Sequence, residues 1–166
     1  MAHDAYLKIP EFEARLADAV RPGWIRLREF SHDISQTASG SVGLGEGGPG
    51  RAEHGDFRIL KEFDEASPRL ALACCASQRF PKAVLEVCES DNFQLPYVTI
   101  EFRDMMVRSV QHVLPPGAGG QAAGRVALEW IALRYRRIDW TYAVNIAGTK
   151  KGVVHANWDV TANVGG

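Results

Sequence analysis

The chain has 166 residues, 46% of them hydrophobic and 23% charged, with a formal net charge of −1. That length predicts one domain, 1–166, able to bury roughly two thirds of its unfolded surface. The balanced charge gives no electrostatic case for nucleic acid or anionic membrane, and no apolar run approaches the roughly 20 residues of a membrane span.

The first ten residues, Met1 to Pro10, have no charged n-region and no apolar h-region, so a classical secretory signal is not expected. Ala5–Ile9 predicts a short strand stopped by Pro10. Glu11–Arg21 contains helix formers in a weak apolar pattern, which predicts a loop or a loose helical turn before Pro22-Gly23.

Trp24–Gln36 predicts a long strand with a change of phase. Ile25 and Leu27 are apolar on the odd face, whereas Phe30 and Ile34 are apolar on the even one. Side chains alternate with period two, so the switch places a bulge or bend near Arg28–Glu29. After the bend, Ser31, Asp33 and Ser35 share a short, polar face. Thr37–Ala52 then holds six glycines, Gly40, Gly43, Gly45, Gly47, Gly48 and Gly50, in an arm too long for an ordinary connection.

Gly55–Asp64 predicts a strand with Phe57, Ile59 and Phe63 on one face. Ser67 as N-cap and Pro68 at N1 start a short helix, and its apolar run from Leu70 to Ala76 predicts a largely buried one. Lys82–Glu89 alternates, with Ala83, Leu85 and Val87 inward, before a turn at Ser90–Asn92. Leu95–Val113 predicts a long strand whose phase blurs at Met105–Val107. Pro115–Gly120 is a loop, Arg125–Tyr142 one strand or two with a bend at Trp130-Ile131, and Val153–Val164 the closing strand. Many strands, one helix and no βαβ alternation give a mainly β, antiparallel barrel or sandwich.

Catalytic and metal-binding patterns are mostly missing. Gly43–Gly48 matches GxGxxG, but Pro49-Gly50 follows instead of a helix, which removes the phosphate-binding context. The five histidines form no metal-ligand spacing. Ser31, His32 and Asp33 are adjacent on a strand, so their side chains alternate faces and cannot form a nucleophile–base chain by themselves. Arg134 and Arg136 form a polar stripe opposite Leu133 and Tyr135, Glu101 and Glu129 read as strand-surface carboxylates, and the three cysteines show no disulfide framework.

Several motifs occur together in one order. They are Asp4–Ile9, Phe30-Ser-His-Asp-Ile-Ser-Gln36 before the glycine-rich arm, Lys61-Glu-Phe-Asp-Glu-Ala-Ser-Pro-Arg-Leu-Ala-Leu-Ala-Cys74, Phe80–Glu86, Val107–Gln111 and Trp158-Asp-Val-Thr-Ala-Asn163. In this order they resemble the Hcp family, the hemolysin-coregulated proteins that form the tube of the bacterial type VI secretion system. His32-Asp33 stands where that family commonly carries Trp-Gly, and Asn157 where it commonly carries Gly.

The resemblance implies an antiparallel β-barrel of two sheets with one short flanking helix at about 67–77, shared with phage tail tubes. It implies homo-hexameric rings that stack into a tube, a contractile sheath around it, a spike protein at its tip and small effectors in its lumen. It implies no enzyme, no cofactor, no metal, no nucleic acid and no membrane insertion. Export would run from the cytoplasm by the type VI route, without a cleaved signal peptide. Under it, Ser31, Asp33 and Ser35 become lumen candidates. Gly43, Leu44, Gly45, Glu46, Gly47 and Gly48 become ring-stacking candidates, and Met105, Val107 and Trp130 subunit-interface candidates. Two rival readings stay open: a tail-tube protein of a phage-like contractile particle, and a small β-barrel hydrolase using Ser31 or His32.

Overall fold

The computed structural model describes residues 3–15, 20–36, 50–89, 95–115, 126–146 and 149–166. Its elements are β1 His3–Lys8, a 3-10 turn Pro10–Arg15, β2 Ile25–Leu27, β3 Glu29–Ser31, β4 Ile34–Gln36, β5 Ala52–His54 and β6 Phe57–Glu62. Then come α1 Ser67–Cys75, β7 Arg79–Glu89, β8 Pro96–Val113, β9 Leu128–Arg134, β10 Arg137–Ile146, β11 Thr149–Asp159 and β12 Val164–Gly165. The expected turn at Ser90–Asn92, and most of the expected loop at 115–120, lie outside the described residues.

All pairings are antiparallel, as the alternating patterns required. Ten strands make one curled sheet in the order β12-β11-β10-β8-β7-β1-β2, with β9, β6 and β3 branching from β8. The second sheet is only the ribbon β4–β5. The sheet curls back on itself because β2 pairs with β1 while β3, almost its continuation, pairs with β6. Arg28 interrupts the strand where the phase switch placed a bend, and its N–H donates to the Leu60 carbonyl at 2.8 Å. No ladder joins β2 to β6, so the barrel has a seam bridged by that bond.

A second line of bends crosses neighbouring strands at one level. Pro81 cannot donate a ladder hydrogen bond, and it falls between the paired positions Phe80↔Met105 and Lys82↔Arg103. Asp104, facing that gap, has φ 50°, a conformation rare for a residue with a side chain. On the other side of β8, the chain leaves β9 and enters β10 through Tyr135-Arg136, held by Arg136 N–H to the Arg103 carbonyl at 3.1 Å. The break therefore lies five residues beyond the bend expected at Trp130-Ile131. Through it, the burial phase of β8 shifts from Ile100 and Phe102 to Met105 and Val107.

The core is filled by Leu7, Ile25, Phe57, Ile59, Phe80, Leu85, Phe102 and Leu133, with Phe57 and Phe102 edge to face at 4.9 Å. Each such side chain contributes about 1.5–3 kcal/mol by leaving water.

Helix α1 closes one end through a buried polar knot. Lys61 and Glu129 are both fully buried, and Nζ donates to Glu129 Oε1 at 2.7 Å, Asp64 Oδ1 at 2.8 Å and the Glu62 carbonyl at 2.6 Å. Ser67 Oγ lies 3.1 Å from the same nitrogen, so four acceptors share its three protons. Ser67 Oγ–H donates to the same Glu129 oxygen at 2.6 Å and accepts the Asp64 N–H at 2.9 Å. Three expectations change here. Glu129 is not a surface carboxylate. Ser67 is the first helical residue and not the cap, because its hydroxyl is committed to the knot; Ala66 takes the cap position, its N–H donating to Asp64 Oδ1 at 2.9 Å. The helix is buried only along Ser67, Leu70 and Ala73, while Leu72 is 67% exposed, because α1 lies on the sheet and not inside it.

Candidate functional site

Register and burial divide the barrel wall into two outer faces. One crosses β3, β6, β9 and β8 through the row Ser31↔Arg58↔Ala132↔Ser109, with Glu29↔Leu60↔Trp130↔Gln111 beside it. The other crosses β7, β8 and β10, where Lys82, Arg103 and Arg137 lie in register. There Glu101 pairs with Lys82 and Arg103 at 2.7 Å each, and Asp139 accepts from Arg137 at 3.2 Å. This second face is a ladder of compensated, exposed ion pairs, each worth little in isolation.

The three lumen candidates are all exposed, but they do not share one strand. Ser31 ends β3, Asp33 lies between strands and Ser35 sits in β4 opposite Glu53. The chain leaves β6 for β5 as partner, so alternation cannot be carried across His32-Asp33. The six stacking candidates, Gly43 to Gly48, lie outside the described residues.

The ribbon β4–β5, from which that arm departs, is fastened at its base by one phenol. Tyr135 Oη lies 2.7 Å from His32 Nε2 and 2.7 Å from His54 Nδ1. His32 also packs on Phe57 at 5.1 Å and His54 on Trp140 at 6.3 Å. A hydroxyl can donate to the bare nitrogen of one neutral imidazole while accepting an N–H from the other, and protonation of both rings would leave the phenol O–H without an acceptor. The surroundings favour neutral rings. Burial, followed by the neighbouring His54, lowers the His32 pKa, against opposing contributions from Asp33 and the Gly55 backbone. Burial lowers that of His54. Burial, then the charge of Asp56, pushes the Tyr135 phenol well up, so it keeps its proton. The Gly55 N–H to Asp33 carbonyl bond at 2.9 Å and the Ala52 N–H to Asn163 Oδ1 bond at 3.2 Å complete the anchor.

Both imidazoles bind protons less readily in the fold than in the unfolded chain. Their contribution is therefore complete above the ordinary imidazole pKa of about 6.5 and is lost as pH falls through the lower folded values. Amide exchange at 52–54 is expected to speed up more between pH 7.5 and 5, after correction for the intrinsic rate, than exchange in β7. His54→Gln should flatten that difference; an unchanged difference in the variant would remove the imidazole pair as its cause.

Of the three interface candidates, two are corrected. Met105 is 0% and Val107 1% exposed, both inside the barrel, because the bend at Asp104 turns them inward. They have no side-chain surface to offer a neighbour. Trp130 remains half-buried on the outer wall, with the Arg58 guanidinium over its ring at 5.5 Å.

Larger apolar exposure lies where the sequence reading did not look, on the β10–β11 hairpin. Tyr142 is 51%, Val153 52% and Val154 66% exposed, and Tyr142 is opposite Val154. The adjacent pair Val153-Val154 was the available signal, since neighbours on a strand occupy both faces. On the N-terminal side of Asn157, the outer edge of β11 has no strand partner among the described residues.

The closing motif has a structural role here. Asp159 Oδ1 accepts the Ala162 N–H at 2.8 Å, and Asn163, at φ 57°, directs its amide oxygen to Ala52 at the ribbon. The side chain of Asn is among those that tolerate such a φ. Gly165 crosses over Trp158 so closely that a Cβ would lie 2.6 Å from the indole. Among the described residues, no group of three or more His, Cys, Asp or Glu is placed to hold a metal ion, and no helix is long and apolar enough to cross a membrane.

The family model described as type VI secretion system effector, Hcp, matches residues 6–142. No curated protein matches the chain. Among solved structures, one described as a type six secretion system protein is 23% identical at a TM-score of 0.84, over 99% of this chain and 100% of its own. Hcp1 from Salmonella typhimurium is 23% identical at 0.74, over 99% of each chain. Hcp3 from Pseudomonas aeruginosa is 18% identical at 0.62, over 95% of this chain and 98% of its own. At these identities the likeness is one of fold, and it extends over nearly the whole chain. With the family match across most of its length, the chain belongs to the Hcp family of type VI secretion system tube proteins.

Proposed function

We propose that the chain is a ring-forming tube subunit, folded as one Hcp-like barrel domain over 1–166. Homo-hexameric rings stack into a tube, inside a contractile sheath and below a spike protein, and carry small effectors in the lumen. The role is structural, without catalysis or a cofactor. The protein leaves the cytoplasm through the type VI machine.

The observation that carries this reading is the β10–β11 hairpin. It presents Tyr142, Val153 and Val154 to solvent beside an open strand edge. Exposed apolar surface at an edge is a liability that a neighbour removes. A head-to-tail contact of this kind gives a ring when its rotation closes. The wall that carries Ser31 and Ser109 is assigned to the lumen, and Gly43–Gly48 to contact with the next ring. Trp130 stays as a candidate for subunit contact from the margin of the same wall.

Native mass spectrometry of the purified chain tests the assembly. Hexamers are expected at micromolar concentration, persisting into moderate salt because the contact is apolar. Monomer alone across the whole range would count decisively against the tube.

A further inference from the structure

We propose that Arg58, stacked over Trp130 on the Ser31 wall, is a docking point for side-chain carboxylates of a carried polypeptide. The inference rests on assigning that wall to the lumen.

Arg26, Arg28, Arg79, Arg103, Arg108, Arg134, Arg136 and Arg137 each have a carboxylate within 4 Å. Arg58, equally exposed on the same barrel, has none among the described residues. Its contact is the Trp130 ring at 5.5 Å. Its register neighbours are Ser31 and Ala132, with Ser109 one strand further. The acidic positions beside it are Glu29, diagonal to it across β3 and β6, and Asp56, two residues before it and already paired with Arg108 and Arg134; neither forms an ion pair with it among the described residues.

A guanidinium attracted to an aromatic face uses none of its N–H groups as hydrogen-bond donors to a carboxylate, so they stay available to one. The guanidinium fork matches a carboxylate in a two-bond arrangement. The half-buried indole limits the motion of both groups, which lowers the ordering cost of a new contact. Ser31, Ala132 and Ser109 are small enough to leave the approach open and can supply two hydroxyls. A cation without an ion-pair partner among the described residues, flanked in register by small side chains, fits an acidic segment of protein. Repetition around a ring would let one acidic cargo touch several copies at once, so weak single contacts would add.

The test uses assembled rings of the full chain and two labelled probes, hexaglutamate and hexaglutamine, followed by anisotropy at low salt. Hexaglutamate is expected to bind the rings, and hexaglutamine about 10-fold more weakly or not at all. Arg58→Gln should weaken hexaglutamate binding about 10-fold with ring mass unchanged, and Arg58→Lys should weaken it less. Absent binding, or wild-type binding by Arg58→Gln rings, overturns the docking point and leaves the lumen assignment standing. Loss of the rings themselves in Arg58→Gln, or binding by dissociated subunits only, puts this wall between subunits. That outcome overturns both the carried polypeptide as occupant and the lumen assignment.

Discussion

Replacing Glu129 by Leu is expected to cost about 3–5 kcal/mol of folding stability, the largest loss of any single change in this barrel. The cost does not come from a lost attraction alone. Lys61 is fully buried, and Glu129 is the fully buried carboxylate that compensates it. Removing the acid leaves the ammonium inside the protein with Asp64 as its remaining anionic partner. Ser67 loses the acceptor for its hydroxyl in the same step, so the start of α1 loosens. Chemical denaturation by urea, read as a fall in midpoint at unchanged slope, measures the effect. The double variant Lys61→Met with Glu129→Leu should recover most of the loss, because a buried ion pair is often no better than apolar side chains of similar volume. A loss below about 1 kcal/mol in the single variant would mean that the ammonium reaches water after the acid is removed.

The second large effect is on assembly. Val154→Asp is expected to abolish rings while leaving the barrel folded. Val154 is 66% exposed, so the isolated subunit tolerates a carboxylate there. In a closed ring the same position would bury that charge without a partner. A penalty of about 3 kcal/mol at each contact weakens each one about 100-fold, and ring closure multiplies the deficit. Size-exclusion chromatography with light scattering should report monomer for the variant at concentrations where the parent is assembled, with unchanged circular dichroism. Val154→Ile should keep the rings. Full assembly of Val154→Asp would move the subunit contact off this hairpin.

The two changes differ in how visible they were from the amino-acid order. Lys61 stood inside one of the motifs that carry the family resemblance, yet its partner Glu129 read as an ordinary surface acid. The ion pair spans 68 positions and depends on β6 and β9 lying side by side. No local pattern records that. The His32–Tyr135–His54 anchor was hidden for the same reason, since it joins three separate segments through one hydroxyl. His32 stands where the family resemblance would place Trp, and here its ring is a partner of that hydroxyl. Met105 and Val107 were misplaced by a subtler cause: one residue, Asp104 at φ 50°, reverses the phase of the strand after it.

Local alternation was a reliable guide wherever a strand ran unbroken. It placed Ala83, Leu85 and Val87 of β7 inward, because period two is a property of the backbone itself. It also located the seam at Arg28, where β2 becomes β3. The order of motifs was sufficient for the family. By itself, then, the sequence determined a mainly β, antiparallel barrel with one short helix, and the family to which it belongs. The tertiary structure decided which polar groups are buried together, which apolar side chains remain outside, and on which wall Ser31, Arg58 and Trp130 meet. Strand pairing between distant segments sets all three, and one bend or one kinked residue is enough to exchange the faces of everything that follows.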